Sequence, residues 1–204
     1  MFSADELRIY LPKYLSADGE RELFEGIKQF PNVDGAKLYT SALKDIPVIY
    51  QGDGLTDLLL FKLPEVKSQP GNGLVISNSC DTSPENKRFF DSHFCYSPIL
   101  RLPLYEKSLL EKYPAVRVKN HLKELRDQLI TQIFYLPQGG GLDAESFVFL
   151  DRIISMPISE IPKDICKARL FTLSNYGHYL LLVKLSVHFT RLTDPLDRGV
   201  TPSK

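Results

Sequence analysis

The densest run of chemically competent side chains is Ser77-Asn78-Ser79-Cys80-Asp81, placed where the apolar stretch Gly73 to Ser77 ends. A cysteine at a strand end, flanked by hydroxyls and a carboxylate, can present a thiolate to a cleft if a histidine or a helix N-terminus lowers its pKa. Four histidines are available, His93, His121, His178 and His188, and no local spacing ties any of them to Cys80. On this reading Cys80, Asp81 and His188 are catalytic, and Ser77, Asn78 and Ser79 bind. A neighbouring carboxylate raises a thiol pKa, however, and the same run has a second reading. In it Cys80 is a small buried hydrophobe, and Asn78 and Asp81 cap a turn through side-chain to backbone hydrogen bonds.

Two other groupings compete with it. His93 and Cys95 lie two apart, hence on one face of a strand, and Cys80 would make a third ligand; a fourth is missing, so neither a metal nor another cofactor is expected. Lys184, His188 and Arg191 fall at i, i+4 and i+7 of a C-terminal helix. Together with His121 and Arg126 this basic stripe would line a phosphate or RNA groove; the alternative is a solvated helix face favoured by the dipole. Gln51 to Gly54 (QGDG) and Gln138 to Gly141 (QGGG) lack the GxxxxGK[ST] pattern, which removes nucleotide hydrolysis.

The elements that must position these residues follow from pattern. Ser3 and Glu6 have capping-box spacing for a short helix ending near Pro12, and Ser16 opens a second helix that stops at Pro31. A short helix is expected around Tyr39 to Leu43. Val48 to Gln51, Leu58 to Leu63, Gly73 to Ser77 and His93 to Leu100 read as strands, separated by GDG, KSQPGNG and DTSPENKR turns. Helices are expected over Leu104 to Tyr113 and Val118 to Ile130, the latter burying Leu122, Leu125 and Leu129. Gln132 to Leu136 and Ser146 to Ile153 read as strands, ISMPISEIP as a turn, and Lys163 to Leu170 as a short strand or turn. Ser174 or Asn175 caps a terminal helix reaching Leu192, apolar nearly all round and so buried in the domain or against a partner.

The 204 residues carry 25 Lys plus Arg and 25 Asp plus Glu, a formal charge of zero, which excludes a protein held on nucleic acid or lipid by bulk charge. The zero is a cancellation: residues 1 to 60 hold 10 acids and 6 bases, the remainder 15 acids and 19 bases. Three irregularly spaced cysteines fit neither a disulfide framework nor a zinc ribbon. No signal-peptide pattern opens the sequence, and its most apolar stretch is too short to span a bilayer, so a soluble cytoplasmic protein without membrane contact is expected. The expected organisation is a helical collar over 1–46, a barrel-type domain with inserted helices over 47–192, and a disordered tail over 193–204.

From Val48 to Pro98 the order of features is Gly52-Asp53, an apolar strand with Leu63-Pro64, a Gly/Pro loop, GLVIS followed by Asn78, a polar loop, and a strand with CYSPI. This order resembles the PemK/MazF-like family of toxin ribonucleases. The resemblance implies an α+β fold: a small SH3-like β-barrel with added N- and C-terminal helices. Gly71-Asn72 stands where that family has its catalytic arginine, and Leu100 or Arg101 where it has Thr or Ser; Ser97 is the nearest hydroxyl. What the resemblance implies is therefore a toxin-type or phage-defence protein acting through a partner protein and RNA, with its own catalysis left open. The apolar C-terminal helix would serve the protein partner or a second copy. The alternatives are a Cys80-dependent hydrolase and a non-catalytic structural subunit.

Overall fold

The computed structural model describes residues 35–190 apart from 63, 66 and 84–87, together with Asp18 and Arg21. The helix expected from Ser3, the helix from Ser16 except for those two residues, Arg191 and the tail lie outside the described residues. The fold is α+β. In chain order the elements are α1 (Gly35–Leu38), β1 (Tyr39–Thr40), β2 (Gly54–Lys62), β3 (Lys67–Val75) and α2 (Ser79–Thr82). Then come β4 (His93–Pro98), β5 (Leu100–Arg101), α3 (Leu102–Leu110), α4 (Ala115–Arg126), β6 (Ile133–Leu136) and β7 (Ser146–Phe149). The chain continues through β8 (Ile154–Pro157), a 3-10 turn (Ile158–Glu160), α5 (Ile165–Ala168), β9 (Arg169–Leu173) and α6 (Asn175–Thr190).

All the ladders are antiparallel. Six strands form one sheet in the order β1-β9-β2-β3-β4-β8, and β5-β7-β6 form a second. Its end strands, β1 and β8, do not pair with each other among the described residues, so the ladder is open. Ile99 carries the chain from one sheet to the other, and the Ser97 hydroxyl donates to the Phe149 carbonyl at 2.7 Å, tying the two together. α3 and α4 pack Leu102, Val118, Leu122 and Leu125 on Ile133, Tyr135 and Phe147 of the second sheet. α6 lies against the first, its Tyr176, Tyr179, Leu180 and Leu181 packing with Leu38, Leu74, Phe134 and Phe171. A separate cluster under β2, β3 and β4 holds Leu55, Leu58, Val75, Phe94 and Tyr96.

Several elements differ from the sequence pattern, each for a local reason. Val48 to Gln51 is a turn, not a strand, because the Asp53 carboxylate takes the Tyr50 N–H at 2.9 Å and Gly52 turns back at φ +89°. Tyr39 belongs to β1, after a helix that ends at Leu38. The KSQPGNG stretch lies in β3; Gly73 leaves room for Tyr96 and Leu58, which a Cβ would approach to 2.7 and 2.8 Å. Ile154–Pro157, expected as a turn, pairs with β4. α4 stops at Arg126 because Gln128 sits at φ +57° with its side-chain amide bonded to both backbone groups of Tyr135, so Leu129 falls beyond the helix and is exposed.

β2 meets β9 only at Gly54 and Leu55, and β3 meets β4 only at Gly73, Leu74 and Val75. Their mutual pairing runs on to Lys62 and Lys67. The far half of the hairpin is thus a two-stranded arm with exposed Leu59 and Phe61.

At the base of that arm lies a buried ion pair. Asp53 and Arg169 expose 0% and 2% of their side chains, and Arg169 Nε donates to Asp53 Oδ2 at 3.1 Å. The Thr172 hydroxyl donates to Asp53 Oδ1 at 2.7 Å. Arg169 Nη1 donates to the carbonyls of Leu43 at 2.7 Å, Ile46 at 2.8 Å and Lys44 at 3.2 Å, and Nη2 donates to that of Val48. Burial pushes the Asp53 carboxyl up, against the hydrogen bonds from Tyr50 and Thr172 and the guanidinium charge that pull it down.

Removing one partner leaves the other charge buried alone, so Asp53→Asn should lower unfolding free energy by about 3 kcal/mol in urea denaturation. An effect below about 1 kcal/mol, the scale of an exposed pair, would show that the pair is not the anchor. Gly177 gives a second expectation. Gly to Ala inside a helix ordinarily stabilises by about 1 kcal/mol. Here a Cβ would stand 2.5 Å from the Leu38 carbonyl oxygen, so Gly177→Ala should lower the melting temperature. A rise would show that α1 gives way freely.

Candidate functional site

The segment after β3 is built from hydrogen bonds that its own side chains make. Ser77 Oγ accepts the Cys95 N–H at 2.7 Å, Asn78 Oδ1 caps α2 through the Cys80 N–H at 2.9 Å, and Ser79 Oγ accepts the Gln51 N–H at 3.0 Å. Asp81 pairs with Arg88, and the Thr82 hydroxyl donates to the carbonyls of Ser79 at 3.0 Å and Ile49 at 3.2 Å. Cys80 is exposed, not enclosed in the core. This hydrogen-bonded turn docks onto the Tyr50–Asp53 turn, where Val75 N donates to the Asp53 carbonyl at 2.8 Å and Gly52 N to that of Val75 at 2.9 Å.

His178 reaches this neighbourhood through an intermediary. Gln51 Nε2 donates to the Ile76 carbonyl at 2.7 Å, which turns its Oε1 toward His178 Nε2 at 3.2 Å. The imidazole must therefore donate from Nε2, and burial lowers its pKa, favouring the neutral ring with its proton there. The other rings contact different partners: His93 Nδ1 lies 3.1 Å from Ser155 Oγ, His121 Nε2 lies 3.1 Å from the Tyr105 hydroxyl, and His188 rests edge-on against Phe189. Among the described residues no three His, Cys, Asp or Glu side chains group closely enough to hold a metal ion.

Two residues of the basic stripe, Arg126 and Lys184, are used inside the fold. Arg126 makes a two-pronged pair with Glu145, both contacts 2.8 Å, and the Tyr135 hydroxyl donates to the same carboxylate at 2.5 Å. The Arg126 hydrogen bonds hold the Glu145 carboxyl below the usual range. Lys184 faces inward with 6% exposure, in contrast to both the groove and the solvated face expected of it. Its Nζ donates to the Gln128 and Ile130 carbonyls, each at 2.8 Å, and burial pushes its pKa down to about 7. Two acceptors match the two N–H bonds of a neutral amine.

Sequence reading missed the roles of Gln51 and Asp53, and of Arg169, which lies 116 positions from Asp53 and shares no motif with it. It also missed a cleft of about 480 Å³ between the Ser41–Lys44 turn and Gly140–Gly141. No helix among the described residues is long and apolar enough to cross a membrane. No family model matches the chain, and no curated protein sequence matches it.

Lys184 gives a pH test with a definite sign. Between pH 7 and about 10.5 the unfolded chain binds a proton at this lysine that the folded chain does not, so stability rises with pH across that window. Relative to Lys184→Met, the wild-type protein should gain stability from pH 7 to 10, with a slope of at most about 1.4 kcal/mol per pH unit. Flat or falling relative stability in paired denaturation curves would show that the amine stays charged.

Proposed function

We propose that this protein works by binding, as a toxin-type or defence-associated protein of PemK/MazF-like layout that acts in the cytoplasm through a protein partner. RNA is the second ligand of this reading. In it β9, β2, β3, β4 and β8 supply the SH3-like barrel, and α3, α4 and α6 are the additions. The observation that carries the reading is the use of the Ser77–Thr82 side chains. Ser77, Asn78, Ser79 and Thr82 hold backbone groups, Asp81 pairs with Arg88, and His178 contacts Gln51. These contacts commit the side chains to holding the turn against its neighbours.

Binding has more support from the surface. Leu59 and Phe61 lie exposed on the projecting arm, and Val187 and Phe189 at the end of α6 are exposed as well. Apolar groups clustered on projecting elements suit a protein partner.

Growth of a bacterial host after induced expression tests this reading. Wild type and Cys80→Ala should both arrest growth, and the Leu59→Ser/Phe61→Ser variant should relieve the arrest by at least about tenfold in colony counts while keeping its circular dichroism, as loss of two apolar interface anchors implies. Relief by Cys80→Ala in a folded protein would favour the thiol hydrolase. Absence of arrest in every form would favour the structural subunit.

A further inference from the structure

Two clefts meet at Tyr39 and Thr40. The first, about 480 Å³, has Leu170 and Phe171 for one wall and Lys44 at its rim. The second, about 470 Å³, runs between Lys37 and the start of α6 at Ser174 and Asn175, with Arg21 also in its lining. Each is within the size range of a small-molecule site. No Asp or Glu among the described residues lines either one. Arg169, in the first, is neutralised by Asp53, and Arg21, in the second, pairs with Asp18 at 3.6 Å, so the unpaired positive charge among the described lining residues is that of Lys44 and Lys37. Both lysines are exposed, and neither has an ion-pair partner among the described residues.

The apolar wall is rigid. The Tyr39 and Phe171 rings sit 4.9 Å apart at 52°, and the Tyr39 hydroxyl is held by the Pro137 carbonyl at 2.7 Å, leaving ring surface rather than hydroxyl for a ligand. The triple-glycine turn packs against them, since a Cβ on Gly140 would come within 2.9 Å of Phe171 and 3.0 Å of Tyr39. Gly139 and Leu142 close that turn with backbone bonds of 3.3 and 2.9 Å, so the Gly140 and Gly141 N–H groups stand outside its own hydrogen bonding. A fixed apolar wall beside two unpaired lysines selects a ligand that joins a planar ring to two anionic groups. Preorganisation of this kind lowers the cost of binding.

We propose that this double cleft binds a free nucleoside diphosphate, with the heterocycle against Tyr39, Leu170 and Phe171 and the phosphates between Lys44 and Lys37. The site needs no P-loop, and QGGG lacks the Lys and Ser/Thr that would act on a terminal phosphate, so the ligand is held without hydrolysis. It is independent of the partner-binding arm.

Calorimetry on the full-length chain tests the site with four probes: ADP, adenosine, inorganic pyrophosphate and a ten-nucleotide single-stranded RNA without terminal phosphates. ADP should bind, with adenosine and pyrophosphate each at least about tenfold weaker, because each lacks one half of the recognition. Lys37→Gln/Lys44→Gln should weaken ADP at least about tenfold, as loss of two charge-assisted contacts implies, with unchanged circular dichroism. Lys112→Gln/Lys119→Gln, two exposed lysines elsewhere, should leave it unchanged. No ADP binding at millimolar concentration, pyrophosphate equal to ADP, RNA displacing ADP and binding more tightly, or an undiminished double variant at the cleft would each overturn the proposal. Growth arrest that depends on Leu59 and Phe61 would stand apart from any of these results.

Discussion

Arg169 gathers the carbonyls of Leu43, Lys44, Ile46 and Val48 around one buried guanidinium, and Asp53 supplies the charge that makes such a cation tolerable in the interior. An irregular segment whose carbonyls turn inward cannot be satisfied by a sheet ladder, so it needs a donor with many hydrogens in a fixed plane. Arg169 is the first residue of β9, and Asp53 immediately precedes β2. Their contact therefore sets where β9 meets β2, where the 41–50 segment lies, and how the Tyr50–Asp53 turn presents Gln51 to Ser79 and His178. The cleft beside Tyr39 inherits its rim from the same contact, since Ser41 and Lys44 belong to the segment that Arg169 holds.

Lys184 performs the same task at the other side of the molecule by different means. It too collects carbonyls from an irregular segment, those of Gln128 and Ile130 beyond the end of α4, and it too is buried. No carboxylate contacts its Nζ among the described residues. A guanidinium keeps its proton in any protein interior, so Arg169 requires Asp53. An amine can lose its proton instead, and burial takes Lys184 along that route. The two residues join α6 and β9 to the loops that periodic packing leaves unsupported.

What the sequence made legible follows this division. The helices near 102–110, 115–126 and 175–190 and the strands at 93–98, 133–136 and 146–149 were visible because their apolar residues repeat at the helical or strand period. Ser174 was visible as a cap, and its Oγ accepts the Gly177 N–H at 3.1 Å. The turn reading of Asn78 was open to the same logic, since a side chain that bonds its near neighbours leaves a local signature. β3 was obscured because Pro70, Gly71 and Gly73 look like a loop unless the crossing side chains of Leu60, Leu58 and Tyr96 are known. The Asp53–Arg169 pair spans 116 positions, and Lys184 meets carbonyls more than 50 positions away, so no local pattern announces either. A basic residue at helical spacing looks the same whether it faces solvent or a buried carbonyl. Only the inward course of the chain near Gln128 decides it.

The arm made by the far half of β2 and β3 follows from the same geometry. β9 leaves β2 after Leu55, and β4 leaves β3 before Gly71, so beyond those points the two strands have only each other as ladder partners. A two-stranded ribbon of this length is marginal in water unless something covers its apolar face. Leu58 packs in the core and Leu60 packs against it, while Leu59 and Phe61, alternating with them, face outward. Pro70, opposite Leu59, removes a backbone donor from β3, which blunts that edge against strand addition. The Tyr96 hydroxyl donates to the Leu59 carbonyl, occupying one acceptor on β2. Main-chain pairing is thus discouraged on both strands while the apolar side chains stay in reach, and contact through the Leu59 and Phe61 face is the mode of association that the arm leaves open.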